Sequence, residues 1–171
     1  MVILAVMIRL VVRVVVLGFV IGTVATIVAA VRIRSRFTPI TDPMADEIAL
    51  FGLFSSVGFA SRATQFRGGV VELWYAGAVI DLRGATLAPE GATLRIRNVF
   101  AGGQLIAPES WRVVVQTQGM AGVDDGADSF SQDPDAPTLN VEFVNLFGGF
   151  QITSELSAEA EQQLHQAIAD A

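Results

Sequence analysis

The residues of this chain best suited to chemistry are the carboxylates of Asp124-Asp-Gly-Ala-Asp128-Ser-Phe-Ser-Gln-Asp-Pro-Asp135. Carboxylates clustered round a glycine bind calcium in loop sites, but the spacing here does not fit the twelve-residue loop with its closing glutamate. Aspartate, serine, glycine and proline are also the usual turn formers, and a solvated loop is the simpler reading. His165 is the single histidine and cysteine is absent. Neither a histidine-cysteine metal site nor a thiolate nucleophile can be built from such a set. With no second histidine or cysteine and no acid-histidine-hydroxyl constellation, His165 reads as an exposed helix residue and not a general base. Asp81 and Arg83, two apart in IDLR, share one strand face and form an exposed pair. The turn NVFAGGQLIAPE, residues 98–109, has glycines but lacks the strand-glycine-helix order and the following Lys or Ser/Thr of a phosphate cradle. With no convergent nucleophile, base and oxyanion donor, the sequence predicts no enzyme, no cofactor and no metal.

The glycines have an architectural role instead. An aromatic followed by small residues and glycine recurs at Phe51-Gly52, Tyr75-Ala-Gly77, Phe100-Ala-Gly102 and Phe147-Gly-Gly149, with Met120-Ala-Gly122 as a degenerate copy. The steps between leading residues are 24, 25, 20 and 27, a period typical of stacked coils that cannot bury their apolar faces singly. A second register agrees with the first. Pro89, Pro108 and Pro137 precede Phe100, Met120 and Phe147 by 11, 12 and 10 residues, and the stretch between them alternates as a strand does. Leu94 and Ile96 stand against Arg95 and Arg97, and Leu139, Val141 and Phe143 stand against Asn140 and Glu142. In this reading the aromatic points inward and stacks on its equivalents, glycine supplies either the positive φ of the bend or room for a neighbouring backbone to approach, and proline ends pairing at the opposite corner. Trp74 and Trp111 are either core fillers or partner anchors.

Charge separates this repeat region, residues 51–153, from the N-terminus. Residues 1–36 hold Arg9, Arg13, Arg32, Arg34 and Arg36 and no acid, whereas residues 37–171 hold six arginines and all seventeen carboxylates. An acidic domain repels phosphate backbones, so nucleic-acid binding is disfavoured. Val14–Val31 runs eighteen residues without a charge, enough for about 27 Å of helix and a bilayer crossing. A cleaved signal peptide is the rival reading; the run is longer than a usual signal core, and arginine follows it at once. Arg9 and Arg13, four apart, fall on one helical stripe below an apolar MVILAVMI start. Either they snorkel to lipid headgroups or the first turns are buried against the helices of a partner. Arg32, Arg34 and Arg36 beyond the span are lipid contacts, and the excess of arginine on that side favours a cytoplasmic domain. Residues 37–50 read as a linker with a short helix, Asp42 as N-cap and Pro43 at its first position. Residues 154–171 read as a helix capped by Ser157, with Leu156, Ala160, Leu164 and Ile168 on one stripe, covering the open end of the stack or docking a partner.

The stretches YAGAVIDLRGATL, ATLRIRNVFAGGQLIAPESWRVVVQTQGMAGVDD and PDAPTLNVEFVNLFGGFQI resemble the C-terminal domain of the LiaF-like, cell wall-active antibiotics response family of bacterial membrane proteins. The resemblance covers about residues 50–153 and implies a compact β-solenoid-like domain held at the membrane and tied to envelope-stress sensing through partner proteins. The expectation is a mainly β, short solenoid-like stack with one N-terminal transmembrane helix and a C-terminal capping helix, in a bacterial inner membrane. Two functions fit it. One is a non-enzymatic accessory subunit docked on an integral membrane protein complex, photosynthetic or respiratory for example. The other is a membrane-anchored modulator of envelope-stress signalling.

Overall fold

A computed structural model describes residues 2–119, 122–124 and 126–169, the side chains of residues 2–6, 127 and 159 excepted. The degenerate copy at Met120 and Ala121 therefore lies outside the described residues, as do Asp125 and the side chains that open the apolar N-terminus. The chain forms two compact units, Met1–Phe37 and Thr38–Ala171.

The first unit is one helix, α1, Val2–Arg34. Its residues Met7–Arg34 carry a mean hydropathy of 2.7, so the helix is long and apolar enough to cross a membrane. Residues 7–22 are exposed without interruption. The helix satisfies its own hydroxyls, with Thr23 Oγ1 donating to Phe19 O at 2.9 Å and Thr26 Oγ1 to Thr23 O at 2.8 Å. Such back-bonding leaves no hydroxyl in need of water.

The second unit is a β-solenoid of two parallel five-stranded sheets. Sheet A contains β1 (Glu47–Leu53), β3 (Gly68–Trp74), β5 (Ala92–Val99), β7 (Arg112–Gly119) and β9 (Thr138–Leu146). Sheet B contains β2 (Ser56–Ala60), β4 (Gly77–Asp81), β6 (Gly102–Ile106), β8 (Val123–Asp124) and β10 (Phe150–Thr153). Each coil runs along a sheet-A strand, returns along a sheet-B strand and passes a second corner, and the first corner is aromatic at Phe54, Tyr75, Phe100 and Phe147. Pro89, Pro108 and Pro137 stand in that second corner ahead of β5, β7 and β9, where a residue without an N–H ends the ladder. Alternation sorts the side chains as the pattern requires. Ile48, Leu50, Val71, Leu73, Leu94, Ile96, Leu139, Val141 and Phe143 face inward from sheet A and meet Phe59, Ile80, Leu105, Phe150 and Ile152 from sheet B.

The coils do not stack in chain order. The sheet orders are β1-β3-β5-β9-β7 and β2-β4-β6-β10-β8, so the last coil is inserted between the third and the fourth. The acidic insertion between β8 and β9 provides the slack for that return. Its short 3-10 turn, Ala127–Ser129, leads to Phe130, which is buried in the core.

Two expectations need correction. No helix forms between residues 37 and 50: Asp42 Oδ1 accepts the Met44 N–H at 2.9 Å in a turn, and β1 begins at Glu47. The segment instead meets the solenoid, with Ile40 and Ala49 exchanging main-chain bonds of 2.9 and 3.1 Å. The alternation of Ile48 and Leu50 with Glu47 and Ala49 is a strand signal that outweighs the Asp-Pro cap. The C-terminal helix, α2 (Ala158–Ala169), has Ser157 as its cap, the hydroxyl accepting the Ala160 N–H at 3.2 Å. It does not cover an end of the stack. Leu156, Ala160 and Leu164 pack on Val79 and Ile106, the outward apolar residues of β4 and β6, so α2 lies on the outer face of sheet B. Ala167 completes the buried stripe, while Ile168 is half exposed.

Gly58 makes this close approach possible. A Cβ there would lie 2.7 Å from Ala167 Cβ and 3.0 Å from Leu164 O. Gly58→Val should lower stability by about 1–3 kcal/mol through overpacking, with faster amide exchange confined largely to α2. Unchanged protection of α2 would show that the helix is not held by this contact.

Candidate functional site

The most unusual surface of the solenoid is the corner from sheet A to sheet B. Four aromatics occupy it with left-handed backbones: Phe54 (φ 52°), Tyr75 (φ 49°), Phe100 (φ 50°) and Phe147 (φ 61°). Bulky residues rarely adopt this conformation, which costs on the order of 1–2 kcal/mol each. The local consequence is geometric. The residues either side of the ring, Trp74 and Ala76 or Val99 and Ala101, are buried, with the alanines in the core, and the ring swings out. Phe54, Phe100 and Phe147 are 58, 43 and 48% exposed. Their rings form a column with Tyr75, at centroid separations of 5.1, 5.2 and 5.1 Å and interplanar angles of 15°, 6° and 17°.

The main chain stitches the column together. Phe54 N–H donates to Trp74 O, Tyr75 N–H to Val99 O and Phe100 N–H to Leu146 O, at 3.1, 2.9 and 2.9 Å. Each aromatic is thereby bonded to the residue preceding the next aromatic. Two residues before the ring, inside the corner, Asn98 and Asn145 are buried. Asn98 Nδ2 donates to Ala101 O at 2.8 Å and to Asn145 Oδ1 at 3.0 Å, and Asn145 Nδ2 donates to Gly148 O at 3.1 Å. Asn98 Oδ1 has no donor, because the next rung places Leu73 at that register position. On the outer faces, Arg95 pairs with Glu142 at 2.6 Å and Gln104 donates to Gln151 at 2.9 Å.

Two carboxylates have shifted ionisation. Glu72, on the outward face of β3, is held above the ordinary carboxylate range by burial, partly offset by the Arg97 charge and the Trp74 indole. Arg97 lies 3.4 Å away. Glu72 Oε2 and Trp74 Nε1 are both buried without a completed hydrogen bond, so the indole acts on Glu72 by proximity and not through a formed bond. Asp81 moves the other way. Burial works to raise it, but hydrogen bonds from the Arg83 side chain and main chain, with the Arg83 charge, bring it below its usual value. The pair is bidentate, Nε to Oδ1 at 3.0 Å and Nη2 to Oδ2 at 2.8 Å. It closes the sheet-B end of β4 more firmly than a loose surface pair.

The corner differs from its sequence reading in three respects. The rings point outward and are not core stacks. The positive φ belongs to the aromatics; Gly77 and Gly102 do not need it, and only Gly148 (φ 140°) has it. The first ring is Phe54, not Phe51, which lies on β1 and outside the column. The missed signal is an apolar residue, an aromatic and two small residues: Leu53-Phe-Ser-Ser56, Trp74-Tyr-Ala-Gly77, Val99-Phe-Ala-Gly102 and Leu146-Phe-Gly-Gly149. Serine in the first copy hides it from a search keyed to glycine.

The other candidate residues are scattered. Trp111 is 4% exposed and packs in the core, since it shares the inward parity of Val113 and Val115; it is a core filler, not a partner anchor. Trp74 is on the outward face of its strand yet 7% exposed, so it offers no free anchor either. Arg9, Arg13, Arg32, Arg34 and Arg36 are exposed on α1 or just after it, and His165 is exposed on α2. In the acidic loop, Asp124 Oδ1 accepts the Gly126 N–H and Asp133 Oδ1 the Asp135 N–H, ordinary turn bonds. No three histidine or carboxylate side chains converge on a metal position among the described residues. No protein-family model, curated protein or solved structure matches the chain.

Replacing an end ring and an inner ring by glycine removes the same left-handed cost but one or two ring contacts respectively. Phe100→Gly should therefore destabilise by about 0.5–1.5 kcal/mol more than Phe54→Gly, as read by denaturant titration of the full chain in detergent. Equal effects would show that the column contributes nothing through stacking. The two carboxylates give opposite signs. A depressed pKa stabilises the fold above the unfolded carboxylate range and loses that contribution as pH falls through the folded value, so Asp81→Asn should lower the melting temperature at pH 7 and flatten its acid dependence. A raised pKa costs stability while the group is charged and relieves that cost as pH falls, so Glu72→Gln should hold or raise the melting temperature at pH 7.

Proposed function

We propose that this chain is a membrane-anchored docking subunit without catalytic chemistry. In this reading α1 crosses a bacterial inner membrane once, and the solenoid, on the cytoplasmic side, offers its aromatic column to an integral membrane protein complex of respiratory or photosynthetic type. The observation that carries the proposal is the column itself. Four rings are kept at the surface at a conformational cost, and exposed aromatics on a rigid backbone are the side chains that dominate binding energy at interfaces. A corner that only had to turn the chain would use glycine or asparagine at positive φ.

The helix supports the membrane part. At 33 residues and 1.5 Å per residue, it is about 50 Å long, well beyond the hydrocarbon thickness. The excess at its start, with Arg9 and Arg13 on one stripe, is best accommodated against the helices of a partner or in the headgroup layer. Arg32, Arg34 and Arg36 fit anionic headgroups at the other end, and their excess of one over Arg9 and Arg13 slightly favours the cytoplasmic orientation. The envelope-stress modulator remains a second reading, favoured by the resemblance of residues 50–153 to the LiaF-like domain.

Extraction in a mild detergent followed by sizing separates the two. Stoichiometric co-migration with a large membrane complex, lost in a Phe54→Gly/Phe147→Gly variant that still folds, is the expected result. A free protein, or one associated only with a kinase, contradicts the subunit reading.

A further inference from the structure

Among the described residues, the solenoid end formed by β7 and β8 is open. β7 pairs with β9 alone. Arg112 N–H donates to Pro137 O, toward β9, at 2.9 Å. In a strand both main-chain groups of a residue face the same side and successive residues alternate. Val114, Gln116 and Gln118 therefore also face β9, and Val113, Val115, Thr117 and Gly119 direct N–H and C=O away from it. Among the described residues nothing bonds those outward groups. The preceding outward carbonyl, Trp111 O, is taken by Ser131 N–H at 3.1 Å, which also donates to Glu109 O at 3.0 Å. The acidic loop thus stands for one residue where a sixth strand would run, and then departs.

Side chains repeat the message. Val113 and Val115 face inward, partly buried against the core, at the end where another rung would close it. From Val113 to Gly119 there is no charge and no proline, the devices that usually guard an edge. Glu109 before β7, Asp124 on β8, and Asp128 and Asp133 on either side of Ser131 are exposed. The one base there among the described residues, Arg112, is bonded to Thr138 Oγ1 at 3.2 Å.

We propose that this edge receives an extended basic segment of a partner protein as an additional strand of sheet A, its apolar side chains over Val113 and Val115 and its basic ones beside the acidic loop. Main-chain bonds supply affinity and the charge pattern supplies selectivity. β5 shows the pattern required, with Leu94 and Ile96 facing in and Arg95 and Arg97 facing out to Glu142 and Glu72; the outward side chains of β7 itself are Arg112, Val114, Gln116 and Gln118, so at this edge the carboxylates come from Glu109 and the acidic loop. The inference stands apart from the aromatic column and from the membrane reading.

The test uses the full chain in detergent micelles and a fluorescent peptide copying β5, Ala-Thr-Leu-Arg-Ile-Arg-Asn-Val. Saturable, salt-sensitive binding with slowed amide exchange across Val113–Gly119 is expected. Thr117→Pro removes one outward N–H without touching the bonds to β9 and should weaken binding about tenfold. Should that variant fold poorly, Asp124→Asn/Asp128→Asn/Asp133→Asn, all at exposed positions, should weaken binding and flatten its salt dependence. Equal binding of a peptide with glutamate in place of both arginines would overturn the proposal. So would binding that leaves Val113–Gly119 unprotected, or an edge already protected in a concentration-dependent dimer, which would make a second copy its occupant.

Discussion

Everything in the solenoid depends on turning from sheet A to sheet B at the same place in each coil. Parallel strands tolerate no drift in register, since a slip of one residue exchanges the inward and outward sets. In four of the five rungs the turn is made by one left-handed residue, and that residue carries a ring. Stacking at 5.1–5.2 Å matches the spacing of hydrogen-bonded strands to within a few tenths of an ångström, so the column measures the register from outside while Asn98 and Asn145 measure it from inside. The rings thus serve the fold through their faces and leave their edges to solvent or to a partner.

The same matching accounts for the coil order. The last coil fits the third at every level: Phe147 on Phe100, Asn145 with Asn98, Glu142 with Arg95 and Gln151 with Gln104. All these pairs are 47 residues apart. The intervening coil has valines, Gln116 and Gly119 at the corresponding sheet-A positions and, among the described residues, only two in sheet B, and it is displaced to the end. Its displacement leaves β7 as an open edge beside the acidic loop. Surface charge and topology are therefore two results of one insertion.

Much of this architecture was legible in the sequence. The 25-residue period, the alternation in β5 and β9, the prolines of the second corner and the apolar helix all follow from local chemistry. What escaped depended on contacts between distant residues. The period shows that coils stack but not which neighbours they choose; the constant 47-residue offset of complementary partners could have shown it. An aromatic before glycine suggests that glycine makes the bend, because left-handed aromatics are rare. The outward ring becomes evident only when both neighbours of Tyr75 and of Phe100 are seen to be buried. The tail was readable as a helix, yet its seat on sheet B required Gly58, Val79 and Ile106 to be recognised as outward residues of three separate strands. Trp111 was ambiguous in type, and its parity with Val113 resolves it. The candidate chemistry was least legible, since the carboxylates that matter are distinguished by burial and by Arg83 or Arg97, not by any spacing.

The central claim is that the aromatic column faces a protein partner. A photo-reactive phenylalanine analogue placed at Phe54, Phe100 or Phe147 and irradiated in intact membranes should give one discrete protein adduct shared by all three positions, absent from an exposed position on α2 such as His165. Adducts with lipid alone, or none at the column while other surfaces react, would contradict it.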